Sequence, residues 1–206
     1  LIPAGPGKSH QSLRDISLFA ALPNCTIVQP CNAAETARAL EWCANRSPGS
    51  CMLRLNIGPS PRKIQLPADY AFTPGRGAVL AVGDFAVVFA YGPVMLHETL
   101  VAAELLRASG TKVTVVNWPW LNRVDVAWLK TVIADIPRLV VVEDHSPIGG
   151  FGDCLLAQLN AAKLLGSRQL QKIGLAGLPA FGRPAEVLRH HGLDGQSLAG
   201  KISQMR

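Results

Sequence analysis

Apolar positions fall into two blocks that alternate strand-like and helix-like spacing, separated by a stretch with no period. In the first block, apolar residues at 13, 16, 18, 19 and 22 predict a helix over Ser12–Leu22, stopped by Pro23-Asn24. Cys25–Val28 reads as a short strand ending at Pro30. Asn32 then caps a helix over Ala33–Asn45, and Cys51–Leu55 reads as a second strand. From Asn56 to Gly77 the period is lost, and Pro59, Pro61, Pro67 and Pro74 describe an extended connection without a core of its own.

The second block predicts strands over Ala78–Val82 and Phe85–Tyr91, joined as a hairpin by Gly83-Asp84. A helix over Met95–Ala108 closes on Ser109-Gly110, and Val113–Val116 is a buried strand. A helix over Val124–Ile136 follows an Asn122 cap, and Leu139–Val142 is a fully apolar strand. Gly149-Gly150 opens a helix to about Leu165, Lys172–Leu175 is the last strand, and Ala185–His191 and Ser197–Met205 are closing helices. Continuous Val/Ile/Leu strands beside helices of about ten residues argue for mostly parallel sheets covered on both faces, a three-layer α/β/α fold. The block limits are 1–62, a linker over 63–76, and 77–206.

Composition sharpens this picture. Hydrophobic residues are 49% and charged residues 17% of the 206, which excludes disorder and predicts a sizeable core. No apolar run reaches the roughly 18 residues of a membrane span. The net charge of +6 is spread singly, and the 6% aromatic residues do not interleave with Arg or Lys. That pattern suits a solvated basic surface, not a nucleic-acid platform. Five cysteines with no C-x-x-C spacing read as small hydrophobes of a reducing compartment, with the cytoplasm as the default. The opening at Leu1, on a Gly/Pro loop, reads as the later part of something longer.

Two segments could carry chemistry. Gly5-Pro-Gly-Lys8-Ser9-His10-Gln11 leads into a helix, where glycines and a helix start suit an anion and Lys8 and His10 add donors. It lacks the spacing of a nucleotide P-loop, and taken alone it reads as a capped helix start before it reads as a site. Glu143-Asp144-His145, followed by Gly149-Gly150, lies beyond a strand's carboxyl end, where open α/β sheets place ligands. Adjacent residues cannot converge as acid, base and nucleophile, so the competing reading is that they satisfy the next helix N-terminus and fix the loop. Trp118-Pro-Trp120 reads as a loop packed on the core, His190-His191 as partners of helix-end carbonyls, and His97 as core or surface. Arg54, at a strand, needs an acidic partner or a ligand.

The order of the segments adds a resemblance over nearly the whole chain. Lys8-Ser-His-Gln, the helix to Pro23-Asn24, Ile27-Val-Gln-Pro30 and Glu35 resemble the thiamine diphosphate (ThDP) enzymes of the transketolase family. So do Gly92 through Glu104-Leu-Leu, Val113–Asn117, Val140–Glu143 with Gly149-Gly150-x-Gly152, and Phe181-Gly through Leu188 to Gly192-Leu-Asp194. The resemblance implies the second half of a pyrimidine-binding domain followed by a transketolase C-terminal-type domain. Missing would be the diphosphate-binding domain and the first half of the pyrimidine-binding domain, which in the family supply the metal–diphosphate site, a ring-stacking aromatic and the glutamate that activates the cofactor.

The implied function is the C-terminal subunit or fragment of a two-component enzyme. With ThDP and Mg²⁺, bound mainly by an N-terminal partner, it would move a two-carbon ketol or acyl unit from a ketose or 2-oxo acid to a carbonyl acceptor. A dimer of heterodimers is the implied assembly. The alternatives are the β-subunit of a 2-oxo-acid dehydrogenase and a non-catalytic scaffold subunit. His10 resembles the family's channel histidine, which binds substrate and exchanges protons; Lys8, Ser9, Gln11 and Arg54 complete the implied substrate site, with no metal ligand in this chain. Two departures bear on substrate. Pro6 stands where an acidic residue is common, and Ile57, three residues after Arg54, stands where phosphosugar enzymes carry an Arg. The expectation is therefore against a phosphorylated acceptor unless Lys8 or Arg54 takes over.

Overall fold

The computed structural model describes residues 1–206 except Pro3, Pro59 and Arg206; the readings of Pro3 in the opening loop and Pro59 in the connection lie outside the described residues. A 3₁₀ turn at Lys8–His10 precedes α1 (Asp15–Ala20), β1 (Thr26–Val28), α2 (Ala33–Asn45) and β2 (Cys51–Leu53). Then come β3 (Ala78–Ala81), β4 (Val87–Ala90), α3 (Gly92–Ala108), β5 (Thr114–Asn117), α4 (Val126–Ile133) and β6 (Arg138–Val142). The chain continues through α5 (Phe151–Ala161), β7 (Gln169–Ile173), α6 (Pro184–His190) and α7 (Gly195–Ser203). β1 and β2 form a two-stranded parallel sheet, and the other strands form a five-stranded sheet in the order β3-β5-β4-β6-β7.

The larger sheet is parallel except for β3, and alternation along its strands builds a core on each face. Val88, Ala90, Val140 and Val142 face one layer, with Met95 and Leu96 of α3 and Leu198 and Ile202 of α7. Val87, Phe89, Leu139 and Val141 face the other, with Leu129 of α4 and Leu155 of α5. That second core runs without a break into the small sheet through Ile27, Val28 and Trp42. Trp118 and Trp120 are fully buried at this junction, as a loop packed on the core. Trp120 meets Trp42 edge-on, with ring centroids 4.8 Å apart.

Several expectations need correction. β3 and β4 are not a hairpin, because β5 lies between them and pairs antiparallel with β3 and parallel with β4. Gly83 instead crosses the start of β5: its N–H donates to Thr114 Oγ1, and that hydroxyl donates to the Gly83 carbonyl. Asn122 does not cap α4. It accepts from the Ile27 N–H and donates to the Cys25 carbonyl, sealing one edge of β1, while Asp125 caps α4 through the Trp128 N–H. α1 starts three residues late, because the carbonyls of Ser12 and Leu13 accept from Arg54 and from the Ser146 N–H. α5 stops at Ala161, short of Leu165, where Lys163 takes a left-handed φ of 57°. β7 begins three residues earlier than expected and ends at Ile173. His191 binds no helix-end carbonyl; its Nε2 accepts from the Ala180 N–H. The 63–76 segment is packed down by the buried Ile64 and by Tyr70, whose hydroxyl donates to the buried Glu35.

Because Trp120 fills the junction between the two sheets, Trp120→Ala is expected to destabilise the chain by about 3–5 kcal/mol. Urea denaturation followed by circular dichroism measures it, and a loss below about 1 kcal/mol would show that the junction is not a packed core.

Candidate functional site

The functional turn is placed by contacts at both ends. Gln11 is buried, and its side-chain amide donates to the carbonyls of Leu1 and Ala180, which pins the turn to the loop before α6. Lys8, Ser9 and His10 remain exposed. Gly7, at φ 76°, supplies the left-handed residue that lets the chain enter the turn. Ser9 Oγ lies 2.9 Å from His10 Nδ1, fixing the ring and leaving Nε2 without a partner among the described residues.

His10 and Arg54 line one cleft of about 120 Å³, with Ser12, Asp15, Asn56 and Asp144 around them. That volume holds a few waters or one small polar fragment. β2 ends at Leu53, two residues before the sequence pattern suggests, so the residue directly after the strand is Arg54, not Ile57. The guanidinium is 8% exposed and heavily engaged. Its Nε donates to Asp15 at 2.6 Å, and its Nη1 donates to Asp144 at 2.7 Å and to Gln29 at 2.5 Å. Burial opposes ionisation of Asp144, but the Arg54 charge prevails and holds its carboxyl well below the usual carboxylate range. Structural ion pairing therefore accounts for Arg54, and the same side chain forms part of the wall facing His10.

The Glu143-Asp144-His145 run divides its work. Glu143 accepts from the N–H groups of Phe151 and Gly152 at 2.8 and 3.2 Å, occupying the α5 N-terminus. Asp144 turns the other way, to Arg54. His145 is fully buried, its Nδ1 2.7 Å from the Ser146 carbonyl. Lys8 contacts neither cleft carboxylate among the described ion pairs. Sequence reasoning missed Asp15 and Asn56 as cleft residues, and Gln29 as the side chain that joins Asn56 to Arg54 behind them. No local signal marks them, since Asn56 is joined to its partner Gln29 only by the fold.

No group of three or more His, Cys, Asp or Glu among the described residues is arranged to hold a metal ion. Among the described residues, no helix is long and apolar enough to cross a membrane.

With this geometry in place, comparison with known proteins defines the class. The family model for the transketolase C-terminal domain matches residues 75–198, and that for the transketolase pyrimidine-binding domain matches residues 3–58. The chain belongs to the transketolase family. It is 35% identical over 167 residues to 1-deoxy-D-xylulose-5-phosphate synthase of Prochlorococcus marinus (strain MIT 9303), covering 80% of this chain and 25% of that protein. It is 29% identical to transketolase-like protein 1 of Bos taurus over 97% of this chain and 33% of that one. Among solved structures, a split-gene transketolase described as an inactive β4 tetramer superposes with a TM-score of 0.82 at 28% identity, covering 95% of this chain and 62% of that chain. The chain thus spans about a quarter to a third of these curated relatives.

Burial pushes the Glu143 carboxyl up to about 7, against the pull of its two amide donors. A carboxyl raised in the folded state binds its proton more tightly there than when unfolded. Its stabilising contribution is therefore complete below about pH 4.5 and is lost as the pH rises through about 7. Urea midpoints measured between pH 5 and 8 are expected to fall across this window and to fall less in Glu143→Gln; parallel profiles would show that Glu143 is ionised throughout.

Proposed function

We propose that this chain is the C-terminal component of a ThDP-dependent transketolase-like transferase, complete only with an N-terminal component. The reaction is transfer of a two-carbon ketol or acyl unit from a ketose or 2-oxo acid to a carbonyl acceptor. The observation that carries this reading is the His10 turn. An imidazole with one nitrogen fixed by Ser9 and the other free stands at the rim of a polar cleft, in a chain of this family. ThDP, when bound, supplies the nucleophilic carbon and the electron sink. The diphosphate and Mg²⁺ are assigned to the N-terminal component, to which the family resemblance gives the diphosphate-binding domain.

This chain's own part is substrate handling. His10, at the cleft rim with Nδ1 engaged by Ser9, would use Nε2 to hydrogen-bond a donor or acceptor oxygen and move a proton to or from it. Ser9 holds the ring, Gln11 holds the turn, and Lys8 offers an exposed charge two residues before His10. Arg54 directly follows β2 and reaches the same cleft, so a phosphorylated acceptor gains a candidate partner; any such contact competes with Asp15 and Asp144 for the guanidinium. A dimer of heterodimers in the cytoplasm is the assembly that fits, with the five free cysteines suited to a reducing compartment.

The test is native mass spectrometry of material purified with ThDP and Mg²⁺, followed by turnover with ketose and 2-oxo-acid donors. A second polypeptide with bound ThDP is expected, and His10→Ala should lower kcat/KM by about 10²–10⁴-fold without dissociating the assembly. A lone 21.9 kDa chain or homodimer that retains no ThDP would contradict the reading. An unchanged turnover in His10→Ala would remove His10 from the chemistry.

A further inference from the structure

Two of the five free cysteines are set apart by where the fold puts them. Cys43 lies in the last turn of α2, Cys51 opens β2, and these two elements pack directly on each other. Both side chains are partly buried against the same core. The other three stand elsewhere. Cys25 precedes β1, Cys31 is fully buried before α2, and Cys154 belongs to α5.

The residues between Cys43 and Cys51 form a tight turn with little freedom to swing. The N–H groups of Arg46 and Ser47 both donate to the Trp42 carbonyl. Ser47 Oγ donates to the Gly49 carbonyl and accepts from the Gly49 N–H. Gly49 is pressed against the turn before β1: a Cβ there would stand 2.3 Å from the Asn24 carbonyl oxygen. The Thr26 N–H then donates to the Ser50 carbonyl and fixes where β2 begins. This framework holds the two thiols within reach of each other. Burial, hydrogen bonding with Cys51 and the charge of Cys51 push the Cys43 thiol up to about 12. Cys43 is therefore the member of the pair that keeps its proton at neutral pH. Ala44, Asn45, Arg46 and Ser50 around the pair are exposed, so a small molecule reaches it from solvent.

We propose that Cys43 and Cys51 form a reversible disulfide site whose oxidant is a low-molecular-weight disulfide of the glutathione type. The Cys51 sulfur, as thiolate, attacks one sulfur of the incoming disulfide and expels the other as a thiolate. The Cys43 sulfur then attacks the Cys51 sulfur of this mixed disulfide, forms the Cys43–Cys51 bond and expels the second small thiol. Two electrons pass from the cysteines to the incoming disulfide, and both protein protons end on the two released thiols. A small thiol in excess runs the sequence backwards, so a reducing pool keeps the pair open until its disulfide fraction rises. The bond fastens the end of α2 to the start of β2, three residues before the Arg54 that lines the cleft. This site stands independently of the reaction proposed above.

The experiment treats the native protein, with whatever copurifies, with oxidised glutathione, then alkylates free thiols and digests with trypsin. Cleavage after Arg46 separates residues 39–46, which carry Cys43, from residues 47–54, which carry Cys51. The expected product is these two peptides joined, at about ten times or more the amount of any other cysteine pairing, because the partners are held in one molecule. Dithiothreitol should part them. Cys43→Ser should abolish the product and leave Cys51 carrying one glutathione. If that variant does not fold, the map of the unsubstituted protein decides alone. Separate alkylation of both cysteines after native treatment, or joining only once the protein is denatured, would overturn the proposal. So would joined peptides drawn from two different chains, detected by mixing isotope-labelled with unlabelled protein.

Discussion

One buried guanidinium joins the small sheet, the start of α1 and the large sheet around the candidate site. Arg54 follows β2 in the small sheet, and it bonds Asp15 at the start of α1, Gln29 after β1 and Asp144 beyond β6 of the large sheet. An isolated charge at 8% exposure would be prohibitive, and so would Asp144 at 2% without a counter-charge. Each group therefore requires the others. Together they fix where the His10 turn sits relative to the carboxyl ends of the parallel strands, where open α/β sheets present their ligands.

The rest of the site follows from that arrangement. Gln11 anchors the turn to the loop before α6, Ser9 orients the imidazole, and Glu143 fills the α5 N-terminus that would otherwise attract an anion. What remains is a small polar cleft with a free histidine nitrogen and no metal cage among the described residues. Under the proposed function, such a wall would orient a substrate and move protons while a cofactor held by another component supplies the carbon-bond chemistry.

Much of this was legible in the sequence because it is local. The Asn32 cap, the Gly110 stop and the apolar runs of β4 and β6 announce themselves within a few residues, and the ordered motifs carried the family. The structural reading of Glu143 was also available, since a carboxylate shortly before Gly149-Gly150 suits a helix N-terminus. Long-range pairing was not available. The Gly83-Asp84 dipeptide has the chemistry of a hairpin, yet β5, about thirty residues later, takes the place between its arms. Asn122 looks like a cap and serves a strand edge formed nearly a hundred residues earlier. Arg54 was recognisable as a charge in need of a partner, but Asp15 and Asp144 lie 39 and 90 residues away, and no periodicity links them.

The most direct test of this account is the stability of Arg54→Met, measured by urea denaturation with amide exchange across residues 8–17. Removing the guanidinium strands the buried Asp144 and takes the ion-pair partner from the half-buried Asp15, so the account predicts a loss of about 3–5 kcal/mol and faster exchange through the His10 turn. Unchanged stability together with unchanged exchange in the turn would show that the two sheets and the site are held together by something else.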